Sequence, residues 1–419
     1  MKDKETNSNP QETKIDNNNI FSKENVNLGY QPEFDYFKAL LVFLIVFTHI
    51  YLSYSNGCLY ILLFVLVSII TASSPMFMMG MSMKYSRHHE PKYYFSRGIV
   101  LLTLSQYLNL IRDSLPNLIA WFITGNKNFI SLSLLVLQTD ILTFAGIAFL
   151  FFALLKKIKL SDNSILIIGI IMNFSSLILY KIMNTPNNFL VSIFLGYFVL
   201  TNAESYFPFC SFFIFVAFGY WLGGIYQKIS NKDKFYNRIL LFCLPIATIF
   251  IYLRITNNIP YFNKYNPIEF YSLMPGPIAF LYCIVNLTVS AIFYKIHKLL
   301  KEKTPEFIVH SAKNFNQYYV ISYAITLQMH AFLKVTKGQN YPSKMKYPTL
   351  FGFVVLFLCR ILIDMNDKYI HFTITTLKKP MKNYIFALIW IITIIIVAYA
   401  YPKIEVYATV WNNYLDENE

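Results

Sequence analysis

The sequence predicts an all-α membrane protein, a polytopic transmembrane helical bundle of about eleven spans, ten to twelve at the bounds. Three observations predict it. Of 419 residues, 56% are hydrophobic and only 14% charged, with a mean hydropathy of +0.44, which is more apolar than a soluble chain of this length. The apolar residues gather in runs close to the ~20 residues that a bilayer-crossing helix needs. The loops between runs are short, none longer than roughly 20 residues, so no appended globular domain fits among the helices.

Residues 1–32, rich in Asn, Lys, Glu and Gln, read as a disordered cytoplasmic tail, and no short apolar core with a small-residue cleavage site marks them as a signal peptide. The apolar runs then predict helices over about 37–54, 57–83 (with Pro75 kinking it), 97–110 and 134–155. A moderately apolar segment with Pro116 and Trp121 lies in the membrane interface between the last two. Further helices cover about 164–183, 207–226, 239–256, 277–296, 318–335, 349–365 and 384–401. Residues 188–203 are apolar but short, a span or a re-entrant half-helix.

Basic residues concentrate in the loops 84–97, 156–163, 227–238 and 297–317. That places these loops and the N-terminus in the cytoplasm, residues 33–401 in one integral membrane domain, and the tail 402–419 outside the cell membrane. The formal net charge of +14 therefore concerns orientation and anionic lipid. No interleaved basic–aromatic surface points to nucleic acid. The five cysteines, Cys58, Cys210, Cys243, Cys283 and Cys359, lie in apolar runs without metal-ligand spacing and read as small buried hydrophobes, so no metal is expected.

Chemistry enters at residues 33–51, an apolar run with Asp35 and Lys38 at its mouth and His49 deep inside. On a helix, Lys38 and His49 share a face about three turns, or ~16 Å, apart, and Asp35 lies one turn from Lys38, within pairing distance. A bare anchor has no need of an imidazole within the span. The plain alternative is a snorkelling Lys and a core His satisfied by a neighbour.

This Asp-x-x-Lys, apolar run and His resembles the first helix of the large membrane acyltransferase group. The group includes the acyltransferase 3 family and the heparan-α-glucosaminide N-acetyltransferase-like family, which carry Asp-x-x-Arg, ten residues, then His or Asn. Lys38 stands where Arg is usual; Lys holds a phosphate as a point charge without the planar fork of Arg. The segment Ser74-Pro-Met-Phe-Met-Met-Gly80-Met-Ser-Met83, followed by Phe95-Ser-Arg97, is similar to the Pro-x-Phe-x-x-x-Gly end of helix 2 and the Arg opening helix 3 in those families. Gly80 allows close backbone approach, although a Met-rich stripe is more commonly packing. Leu137-Gln-Thr-Asp140-Ile-Leu-Thr-Phe-Ala-Gly is similar to a further motif of the heparan-type enzymes, and Tyr206-Phe-Pro208 through Gly219 and Gly223 to another. Asp140 either orients His49, binds a substrate hydroxyl, or forms a salt bridge to Arg112 or Lys127. The resemblance covers about residues 33–226. The heparan-type enzymes also carry a His in the loop after helix 1, and here no His lies between His49 and Arg87.

The resemblance implies acyl transfer, most simply of acetyl, from cytoplasmic acetyl-CoA or another acyl-CoA to a hydroxyl or amine of a cell-envelope glycan or lipid-linked sugar. His49 and Asp140 would then be catalytic, and Lys38, Asp35, Arg97 and Gly80 would hold the CoA. The rival class is a transporter or flippase of an anionic or sugar-linked solute, which broken helices near Pro75 and 188–203 would also serve; no inverted repeat is visible. Outside these motifs, His330 is a lone helical histidine, and Arg360 and Asp364 are spaced to pair with each other.

Overall fold

The computed structural model describes residues 19–54, 70, 73–182, 189–199, 206–256, 274, 276–337, 345, 347–370 and 379–401. Its helices in chain order are α1 (Pro32–Tyr54), α2 (Ser74–Tyr85), α3 (Pro91–Asn109), α4 (Leu115–Thr124), α5 (Asn128–Leu132), α6 (Ile141–Lys157), α7 (Asp162–Ile182), α8 (Phe189–Gly196), α9 (Phe209–Tyr226), α10 (Lys232–Ile255), α11 (Gly276–Leu299), α12 (Glu306–Lys313), α13 (Phe315–Lys337), α14 (Pro348–Met365) and α15 (Lys379–Ala400). A π-helical turn, Leu110–Ser114, joins α3 to α4, and a 3-10 turn, Ser133–Leu137, leads to α6. Among the described residues the fold is all-helical, with one isolated bridge pairing Phe21 and Ile229.

Seven of these helices, α1, α7, α9, α10, α11, α14 and α15, are long and apolar enough to cross a membrane. The expected eleven is not reached among the described residues, for physical reasons that differ by element. Most of 57–72 lies outside them. The run 134–155 is broken at Gln138–Asp140, which leaves α6 with 17 residues. Helix α3 buries Ser105, Gln106 and Asn109, and α13 buries Ser322 and Thr326. Interior helices of a bundle meet other helices rather than lipid, and so tolerate this polarity.

Pro75 does not kink a continuous helix. It sits in the first turn of α2, where its missing N–H costs nothing. The break before it is held by buried Asn286 of α11, which accepts from the Ser74 hydroxyl and donates to Ser73 Oγ. Two pairs of helices then approach very closely through glycine. A Cβ on Gly80 would fall 2.1 Å from the Val216 carbonyl oxygen, and one on Gly219 2.2 Å from that of Phe77, so α2 and α9 touch backbone to backbone. Gly98 and Gly146 do the same for α3 and α6. Such contacts suit helices in lipid, where association rests on packing rather than on water exclusion.

Helix α1 sits centrally, against α11, α12, α13 and α14. Its first turn is anchored by Glu33, which is fully buried, accepts from Tyr236 at 2.7 Å and pairs with Lys232 at 3.1 Å. Residues 19–31 correct the expectation of a disordered tail in their part of it. They run along the 227–231 turn, with Ser22 N–H on the Lys228 carbonyl and Ser230 N–H on that of Ile20. Residues 1–18 and 402–419 lie outside the described residues.

Helix α8 has eight residues, about 12 Å, too short to cross a ~30 Å core. The Phe209 and Cys210 amides bond the Tyr197 and Phe198 carbonyls, so the chain after α8 meets the start of α9. The 188–203 stretch therefore holds a short helix rather than a span in its described part. The described cysteines, Cys210, Cys243, Cys283 and Cys359, are free.

Candidate functional site

His49, on the last turns of α1, lies deep in the bundle but keeps some accessible surface. Its ring stacks on Tyr323 of α13 with centroids 3.9 Å apart and planes 14° apart, and meets Tyr319 edge-on at 6.1 Å. Among the described residues neither ring nitrogen has a hydrogen-bond partner, and Nδ1 is enclosed, which leaves Nε2 as the accessible nitrogen.

The other neighbour of Tyr323 comes from the π turn after α3. An i→i+5 turn inserts one residue into a helix and re-aims the side chains around it. Here it carries Arg112, 2% exposed, with its guanidinium 4.4 Å over the same Tyr323 ring. Arg112 Nε donates to Asp113 at 2.5 Å and Nη2 to Gln138 Oε1 at 2.8 Å, while Nη1 is buried without a partner. Asn109, one turn earlier, ties the π turn to the 3-10 segment by donating to the Val136 and Gln138 carbonyls.

Asp140 differs from its expected role. It is not a carboxylate within a continuous helix but the N-cap of α6, in a capping box with Thr143. Its Oδ1 accepts from the Thr143 amide at 2.8 Å and the Ser105 hydroxyl at 2.7 Å. Its Oδ2 is buried and unpartnered. It forms neither the hydrogen bond to His49 nor the salt bridge to Arg112 that the sequence allowed; Arg112 is the charged neighbour of both. Five buried polar atoms thus lack partners around this centre: His49 Nδ1, Gln106 Oε1, Asn109 Oδ1, Arg112 Nη1 and Asp140 Oδ2. In a low-dielectric interior an unsatisfied group costs on the order of 1–3 kcal/mol, so this is a polar centre within an apolar bundle.

A cavity of about 770 Å³ adjoins this centre, within the size range of small-molecule sites. Lys38, Arg97 and Lys313 line its mouth, together with Asn314, Asn316 and Gln317, and among the described residues no carboxylate lines it. None of the three cations has a side-chain ion-pair or hydrogen-bond partner among the described residues. The cavity reaches Tyr319, which meets His49 edge-on, and Ile141, the residue after Asp140; His49, Arg112 and Asp140 do not themselves line it. Along α3, Arg97 to Tyr107 is ten residues, or ~15 Å.

The predicted cofactor-binding residues thus divide. Lys38 and Arg97 come together in one cavity. Asp35 does not line it; its carboxylate accepts from Tyr30 and attracts Lys38 electrostatically without a contact ion pair. Burial, reinforced by that carboxylate, pushes the Tyr30 phenol above its ordinary range, so it remains the donor. Gly80 does provide a close backbone approach, but to α9 rather than to a ligand.

Sequence reasoning left Arg112 as a salt-bridge partner and passed over Tyr319, Tyr323 and Lys313. The available signal was Arg112-Asp113, two adjacent charges within a largely apolar stretch. Arg360 does meet Asp364, at 3.6 Å, and also bonds Glu306 at 2.9 Å, while His310 bonds the other Asp364 oxygen. His330 falls on α13 and its side chain lies outside the description. Among the described residues, no group of three or more His, Cys, Asp and Glu gathers in metal-binding geometry. Compared with protein-family models, with curated proteins and with solved structures, the chain matches none.

Proposed function

We propose that this chain is an integral membrane acyltransferase. It moves an acyl group from cytoplasmic acyl-CoA to a hydroxyl or amine of a cell-envelope glycan or lipid-linked sugar. One observation carries the reading: a cavity lined by three cations and, among the described residues, by no carboxylate leads to the shell of a partly accessible histidine. That is the charge pattern for a polyphosphate head with its reactive end inward. The motif resemblance around Lys38, Arg97 and His49 points the same way.

In this reading the CoA phosphates sit among Lys38, Arg97 and Lys313, and the pantetheine arm spans the ~16 Å to His49. The acceptor oxygen attacks the thioester carbonyl carbon while its proton passes to His49 Nε2, the general base. The oxyanion that forms is met by Arg112 Nη1–H, a donor already desolvated and fixed by Asp113 and Gln138. The C–S bond then breaks, and the imidazolium returns the proton to the departing thiolate, which leaves an ester (or an amide from an amine) and free CoA thiol. Tyr323, between His49 and Arg112 by contact, positions both rather than reacting.

The test is calorimetric titration of the purified protein with CoA and acetyl-CoA, paired with mass spectrometry of envelope glycans from cells with and without the gene. Absence of CoA binding removes the reading and leaves the transporter class. CoA binding with no acyl-mass difference in any glycan removes the acceptor assignment alone.

A further inference from the structure

The donor cavity is wider than a pantetheine arm requires. One wall, from Lys38 and Leu41 to Tyr319, follows α1 and α13 toward His49. The opposite wall is formed by the partly exposed Met79, Leu104, Ile141, Ala145 and Phe149, backed by the packed Met76, Met83, Tyr94 and Phe144. Between the Arg97 level and the Tyr107 level, the cavity-facing residues of α3 are Val100, Leu101 and Leu104, all apolar. An acetyl group has no use for this surface, and Val100, Leu101 and Leu104 offer the amides of a pantetheine arm no side-chain partner.

We propose that this second wall houses a fatty-acyl chain, and that the transferred group is a long hydrocarbon acyl rather than acetyl. The inference rests on the acyl-CoA reading of the same cavity. The ~15 Å from Arg97 to Tyr107 is half of a ~30 Å hydrocarbon core, the depth that one fatty tail fills in a bilayer leaflet. The thioester lies at the His49 end, and the chain folds back along α2 and α3. The Met-rich stripe of α2 gains a purpose beyond packing here. Methionine is unbranched and polarisable and adapts to irregular hydrocarbon shapes, so the partly exposed Met79 offers a compliant surface, with the packed Met76, Met78 and Met83 behind it. Ala145 and Met79 are cavity-lining residues that are only partly buried, so bulk added at either enters the cavity.

The experiment measures binding of CoA, acetyl-CoA and dodecanoyl-CoA to the full chain in lipid nanodiscs, with empty nanodiscs subtracted. Dodecanoyl-CoA should bind at least about tenfold tighter than the other two. Ala145→Phe and, independently, Met79→Trp should abolish that advantage, with CoA itself as the internal control for folding. Equal affinity for all three ligands overturns the inference and leaves the acyl-CoA reading intact. A dodecanoyl advantage that both variants retain assigns it to partition into lipid and overturns the inference equally. If no CoA species binds, the acyl-CoA reading falls first.

Discussion

At the scale of single residues, His49 and Arg112 divide the chemistry in a way that substitutions resolve. His49→Gln keeps size and hydrogen bonding but offers no base, so transfer should fall by about two to four orders of magnitude with CoA affinity unchanged. Near-normal turnover by that variant would reduce His49 to a packing residue stacked on Tyr323. Arg112→Lys keeps the charge but loses the fork that reaches Asp113 and Gln138 together. It should lower kcat by about 10²–10³, the scale of a lost oxyanion donor, with little change in KM for the acyl-CoA. At the mouth the expectation reverses: Lys38→Ala should raise KM for acyl-CoA and leave kcat near normal, and Lys38→Arg should restore affinity. His49 and Lys38 were legible because an ionisable side chain in an apolar run is visible in one dimension. Arg112 was visible as a charge but not as a site. Its aim depends on an i→i+5 turn, which packs against α13 and leaves no local signature in the sequence.

At the scale of elements, Asp140 joins structure and chemistry, and its two oxygens can be tested separately. Oδ1 caps α6; Oδ2 is the free one. Asn is as good an N-cap as Asp, whereas Ala cannot cap, so Asp140→Asn should keep the melting temperature and Asp140→Ala should lose about 1–2 kcal/mol of stability. If Oδ2 meets the acceptor as an anion, the Asn variant is stable yet slow; a stable and fully active Asn variant makes Asp140 a cap and nothing more. The glycine contacts between α2 and α9 give a second test. Gly80→Ala puts a methyl group onto the Val216 carbonyl and should destabilise by at least the ~1–3 kcal/mol typical of overpacking, read as loss of the folded peak in size-exclusion chromatography. Hydropathy located most of these helices because apolar runs and spans nearly coincide. It failed at 134–155, where Leu, Val and Ile on both sides carried the run through Gln138-Thr139-Asp140. The Asp-x-x-Thr spacing at Asp140 and Thr143 was the local cue for a helix start, and apolar content masked it.

At the scale of the whole molecule, the proposed chemistry needs a fixed orientation, because acyl-CoA is cytoplasmic and cannot cross the bilayer. The cavity mouth at Lys38, Arg97 and Lys313 must then share a side with the cationic loops. The structure groups these loops at one end of the bundle: Lys84 pairs with Asp162 across the ends of α2 and α7, Lys298 with Asp233 across α11 and α10, and Gln227 donates to the Lys84 carbonyl. The parity of the chain depends on α8, whose eight residues return to the start of α9 instead of crossing. With one crossing for α7 and one for α9, the turn at 227–231 comes back to the side of Asp162, and residues 19–31 lie along that same turn. Gly125, which closes α4 with φ +68°, belongs to the opposite end, beyond Arg112. Single cysteines introduced at Lys228 and at Asn126 in a cysteine-free background should therefore report opposite sides in intact cells. Asn126→Cys should react with a membrane-impermeant maleimide from outside, and Lys228→Cys only after permeabilisation. If Lys228→Cys labels from outside, α8 and its flanking residues cross the membrane, the cation-lined mouth faces away from the cytoplasm, and cytoplasmic acyl-CoA is no longer available as the donor.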